Sequence, residues 1–156
     1  ENPKLGANCQ LFALGVERKC GFYIDGQLPM DQGGRFGSRE LWLDTRYTEV
    51  VRSGGLSPEV LCHLFFNDKL NAFDIYFFFP PDVSPNAMGP DIDPELFKKF
   101  HVAIWMGFVE TRRGIYISLW LHNAKPGPSA LWTMQDFIDA RYILFGVKRP
   151  MRRMPN

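Results

Sequence analysis

A chain of 156 residues can bury roughly two-thirds of the surface its unfolded form exposes, so a single domain needs no disulfide or metal staple. Hydrophobic residues make up 46% and aromatics 15%, with 14 phenylalanines, which excludes a disordered or low-complexity chain. Lysine plus arginine (18) balances aspartate plus glutamate (17), so no positive field covers the surface and no nucleic-acid partner is expected.

In chain order, Asn8 is suited to cap a helix that starts at Cys9 and carries Leu11, Phe12, Gly15, Val16 and Lys19 at helical spacing, with Gly21 as its stop. Gly26 to Gly37 reads as a loop leading into a short helix capped by Ser38. In that helix, Ser38 to Thr45, Trp42 and charged neighbours suggest either a cleft border or one apolar face of a surface helix. Ser53-Gly54-Gly55 breaks the chain, and Ser57-Pro58 opens a helical piece to Phe66. The apolar run Asn71 to Phe79, ended by Pro80-Pro81, reads as a buried central strand. Pro80 to Pro94, rich in Pro, Asp, Asn and Gly, reads as a surface insertion of the kind that shapes a cleft.

Phe100 to Gly107 and Ile115 to Leu121 are two strands around the charged turn Glu110 to Gly114, an antiparallel hairpin. His101 opens the first strand and His122 follows the second, so the hairpin brings both imidazoles to one end of a sheet. After a loop from Asn123 to Pro128, Thr133-Met134-Gln135-Asp136 resembles a capping box for a short helix, and Tyr142 to Val147 supplies a last strand. Lys148, Arg149, Arg152 and Arg153 read as a solvated basic terminus: a domain spanning 1–156 with its core at about 7–148 and a tail at 149–156. No apolar run reaches the roughly 20 residues that span a bilayer, so no membrane span is expected. No leader is read ahead of Glu1, and the compartment, cytoplasmic or secreted, stays open.

Three cysteines without a C-x-x-C pair leave at least one thiol free. A thiol attacks as thiolate, and a helix N-terminus and a neighbouring imidazolium both lower its pKa from about 8.5. Cys9 has the first of these by position; the second must come from His63, His101 or His122. Cys20 and Cys62 lie among apolar residues and read as core thiols, and His63 as a packed or surface residue. A zinc site built from the three histidines and a cysteine matches no familiar ligand spacing, so neither metal nor cofactor is expected.

Asn8-Cys9 opening a helix resembles the Asp-Cys segment of the NlpC family of papain-like cysteine peptidases, and Phe73 to Phe78 its Gly-Asp-led apolar strand. His101-Val102-Ala103-Ile104-Trp105-Met106-Gly107 is similar to that family's His-Val-Gly-Ile-Tyr-Leu-Gly strand, and Leu121-His122-Asn123-Ala124 to the segment carrying its third polar residue. The resemblance runs from Ala7 to about Lys148. It implies an α+β papain-like fold in which an N-terminal helix bearing the cysteine packs on a central antiparallel sheet. It also implies an amide hydrolase, cutting a peptide, isopeptide or peptidoglycan-stem bond through an acyl-enzyme. Cys9 would then be nucleophile, His101 its base and His122 the orienting group, with the Cys9 N–H as first oxyanion donor. Gln10-Leu11 in place of Ser-Gly, and Ala103 in place of Gly, depart from the family pattern and leave the substrate open. An acyltransferase or deamidase toxin on the same fold, and a catalytically idle binding module, are the alternatives.

Overall fold

The computed structural model describes residues 13, 16–17, 19–20, 22–23, 37–52, 63–64, 67–84, 91–123 and 129–152. They form an α+β fold on an antiparallel sheet of six strands in the order β2-β7-β3-β4-β5-β6. These are β2 (Thr48–Arg52), β3 (Ile75–Phe79), β4 (His101–Glu110), β5 (Tyr116–Asn123), β6 (Ser129–Trp132) and β7 (Ile143–Arg149). A separate two-stranded pair joins β1 (Phe22–Tyr23) to β8 (Met151–Arg152).

Every residue of β3 is buried, and its side chains alternate between two cores, one on each face of the sheet. On one face Ile75, Phe77 and Phe79 meet Val102, Ile104 and Phe145 under α1 (Ser38–Leu43) and the 3-10 helix Pro94–Lys99. Helical Ala13 and Val16 join this core. Trp42 is its hub, with ring centroids 5.0 Å from Phe77, 5.2 Å from Phe145 and 5.9 Å from Phe100. β7 slips one residue against β3 between Phe77 and Phe78, which turns both Phe145 and Gly146 toward Trp42. A Cβ at Gly146 would lie 2.6 Å from the indole and 2.9 Å from the Val51 carbonyl, so the ring can sit flush on the strand only over glycine.

On the other face Tyr76, Phe78, Ala103, Trp105, Trp120, Leu144 and Val147 pack beneath Phe137 of α2 (Met134–Asp139). The capping box at Thr133 is complete: its side chain accepts the Asp136 N–H, and the Asp136 carboxylate accepts the Thr133 N–H at 2.8 Å.

Several expectations need correction. The central strand starts at Ile75 and not at Asn71, because Asn71 to Asp74 make a turn closed by Asp74 N–H to the Asn71 carbonyl, with Phe73 at φ 72°. Gly37, not Ser38, occupies the N-cap of α1. The Ser38 hydroxyl donates instead to the Phe97 carbonyl at 2.9 Å and ties α1 to the 3-10 helix. That helix ends the segment read as an irregular insertion. Cys20 is exposed, not a core thiol. Lys148 and Arg149 belong to β7 and not to a solvated tail. The buried Lys148 ammonium donates to the carbonyls of Trp42 and, at 2.7 Å, Asp44, satisfying orphan acceptors at the end of α1. Arg149 grips the buried Asp74 carboxylate through Nε at 2.9 Å and Nη2 at 2.8 Å.

Candidate active site

β4 and β5 pair with Ile104 opposite Leu121, so one step further along His122 lies across from Ala103, and His101 is its diagonal neighbour on the same face. The methyl of Ala103 leaves room for the two rings to meet over it. His101 Nε2 and His122 Nδ1 are 2.8 Å apart, with the rings perpendicular at 89°. The hairpin thus joins two imidazoles 21 residues apart in sequence.

The two rings occupy different surroundings. His101, the first residue of β4, is half-buried at the end of the sheet. His122 is 2% exposed, and burial lowers its pKa to about 4, so it is neutral at physiological pH. Its Nε2 is buried without a hydrogen-bond partner among the described residues. When His101 is an imidazolium both its nitrogens carry hydrogens, and Nε2–H donates to Nδ1 of the neutral His122. His122 is then an acceptor, which fixes the plane of the His101 ring.

Ring packing orients His122 on the side where it has no hydrogen bond. Trp132 lies with its centroid 4.3 Å from His122 and Phe137 lies at 5.0 Å, both tilted across the imidazole. These contacts follow from the two ends of α2. Around the Thr133 cap, Trp132 and Phe137 stand in the positions of a hydrophobic staple and touch at 5.0 Å. At the other end Arg141 takes φ 64°, and the bonds Arg141 N–H to Ile138 and Tyr142 N–H to Phe137 close a Schellman motif. That reversal sets Tyr142 5.3 Å from the His101 ring. A six-residue helix therefore delivers aromatic rings to both imidazoles.

Of the three residues expected to carry chemistry, the structure brings His101 and His122 together, and Cys9 lies outside the described residues. Ala13 and Val16, one and two turns further along the expected helix, pack on the opposite face of the sheet from the imidazoles. His63 is exposed, and its carbonyl accepts the Asn67 side-chain amide at 2.8 Å; Cys62 is outside the described residues. Trp42, one reading of which is a cleft border, is buried in the core. Among the described residues no group of His, Cys, Asp and Glu is arranged to hold a metal ion. Trp132, Phe137 and Tyr142 were not expected at the site. Their signal is the spacing Trp-Thr-x-x-Asp-Phe, which encodes cap and staple together. Protein-family models, curated proteins and solved structures return no match to this chain.

Proposed function

We propose that the chain is a papain-like cysteine hydrolase of NlpC type that cleaves an amide bond through an acyl-enzyme on Cys9. The observation that carries this reading is the 2.8 Å bond between a half-buried His101 and a buried, neutral His122. A buried, neutral His122 is placed to accept the His101 Nε2–H when His101 is protonated, as the orienting partner of a general base must. His101 begins β4 and so stands at the end of its strand, while Ala13 and Val16 pack on the far face of the sheet; for Cys9 to act with it, the segment before Ala13 must bring Cys9 around that end.

In this mechanism His101 takes the Cys9 proton to give a thiolate–imidazolium pair. Cys9 Sγ attacks the carbonyl carbon, and the oxyanion accepts the Cys9 N–H at the helix start. The C–N bond breaks as His101 protonates the leaving amine. Water then attacks the thioester, giving its proton to His101, and the thiolate departs. His122 stays neutral throughout and accepts the His101 Nε2–H. Peptide or peptidoglycan-stem fragments are the substrate class. Acid-quenched reactions with purified muropeptides, read by peptide mass spectrometry, should carry an acyl adduct on Cys9, with both adduct and product absent in Cys9→Ala and His101→Ala. Product formation that survives Cys9→Ala would overturn the assignment.

A further inference from the structure

Beyond Gly107 the β4–β5 hairpin leaves the body of the sheet. β3 pairs β4 only as far as Ile104, and β6 pairs β5 only from Trp120 onward, so among the described residues the ribbon from Phe108 to Ser118 pairs only with itself. Four of the seven large hydrophobic residues exposed among the described residues lie in this ribbon: Phe108 at 56%, Val109 at 39%, Ile115 at 58% and Tyr116 at 64%. Surface apolar residues are ordinarily scattered, and a contiguous group marks a contact site. Alternation along the strands sets Phe108 and Tyr116 on one face and Val109 on the other. The turn between them is well formed. Thr111 N–H donates to the Ile115 carbonyl at 2.7 Å, Gly114 N–H to the Thr111 carbonyl at 2.9 Å, and Ile115 N–H to the Thr111 hydroxyl at 3.2 Å. Arg112 and Arg113 stand exposed at the apex and form no ion pair among the described residues, and the exposed Glu110 ends β4 just before the turn.

We propose that this hairpin is a peripheral docking finger for an anionic lipid surface, inserting its tip into the headgroup layer. Three observations select that occupant. A second protein surface covers one face of a ribbon, whereas apolar side chains on both faces call for surroundings that enclose it. Interfacial elements enter about 5–10 Å into the headgroup and acyl boundary, and at about 3.3 Å per residue that depth takes in the turn and its flanking residues, Val109, Ile115 and Tyr116. The two guanidinium groups sit on long stems that reach back to lipid phosphates while the stems lie along apolar surroundings. No described helix is long and apolar enough to cross a membrane. Because the turn is already closed by its own hydrogen bonds, little ordering opposes insertion.

The test uses the whole chain with phosphatidylcholine vesicles, with and without phosphatidylglycerol, by sedimentation, and a Tyr116→Trp variant read by fluorescence. Expected are partitioning onto the phosphatidylglycerol vesicles that weakens with salt, a blue shift of the new tryptophan, and partitioning about tenfold weaker in Arg112→Glu/Arg113→Glu and in Ile115→Ser/Tyr116→Ser. These substitutions fall on exposed side chains, and unchanged thermal melts verify folding. No partitioning, partitioning indifferent to both pairs of substitutions, or self-association abolished by them in place of lipid binding would each overturn the proposal. The result is independent of whether Cys9 is a nucleophile.

Discussion

The two faces of the sheet use the same material to different ends. Beneath α1, Trp42 is ringed by Phe77, Phe97, Phe100 and Phe145, and the Lys148 ammonium 5.5 Å above the indole is occupied with backbone carbonyls. Beneath α2, Trp132, Phe137 and Tyr142 form an equally aromatic layer, but they close around two imidazoles. Aromatic density on the first face produces stability. On the second it produces a dry setting in which one histidine is kept uncharged so that it can accept from the other.

The largest expected effect breaks the first face. Trp42→Ala should cost about 3–5 kcal/mol in urea unfolding, from lost burial plus the cavity left among four phenylalanines. Next comes Glu17, which is fully buried with neither carboxyl oxygen hydrogen-bonded among the described residues, and whose pKa burial raises to about 9, helped by the nearby Asp74 charge. Its folded pKa exceeds the unfolded value of 4.5. The folded state therefore holds the extra proton, and stability contributed below 4.5 is lost as pH rises toward 9. Glu17→Gln should accordingly raise the unfolding free energy at pH 8 and leave it unchanged at pH 4, as read by urea unfolding at the two pH values.

His122 gives a change of opposite sign on the second face. Its folded pKa of about 4 lies below the ordinary 6.5, so the unfolded chain binds the extra proton, and stability present above 6.5 is lost as pH falls toward 4. Opening the cage should shrink that dependence: in Trp132→Ala the His122 resonances should titrate closer to 6.5 by NMR, while Trp132→Phe keeps the wild-type behaviour. The smallest effect is at the helix end, where Arg141→Gly relieves a positive φ and should stabilise by about 0.5–1 kcal/mol in thermal melts.

The hairpin and both imidazoles were legible because a charged turn between two apolar runs fixes their register, and Thr133 announced its helix through a local pattern. β6 was not legible, since four residues alternating between exposed and half-buried, Ser129 to Trp132, carry no strand signal apart from their partner. Lys148 and Arg149 were misread for a related reason: their partners, Trp42, Asp44 and Asp74, lie 75 to 106 residues away, and composition alone makes two basic residues near a terminus look solvated. β4 also runs further than its apolar core suggested, into the exposed ribbon as far as Glu110, and β5 starts one residue later than expected, at Tyr116, and continues past Leu121 to Asn123.

The most direct test of the hydrolase account is the pH dependence of iodoacetamide alkylation at Cys9, in the wild type and in His101→Ala, with the modified site identified by peptide mass spectrometry. The account predicts a thiol that titrates well below the ordinary value of about 8.5 and moves up when His101 is removed. An ordinary titration, unchanged by the substitution, would contradict it.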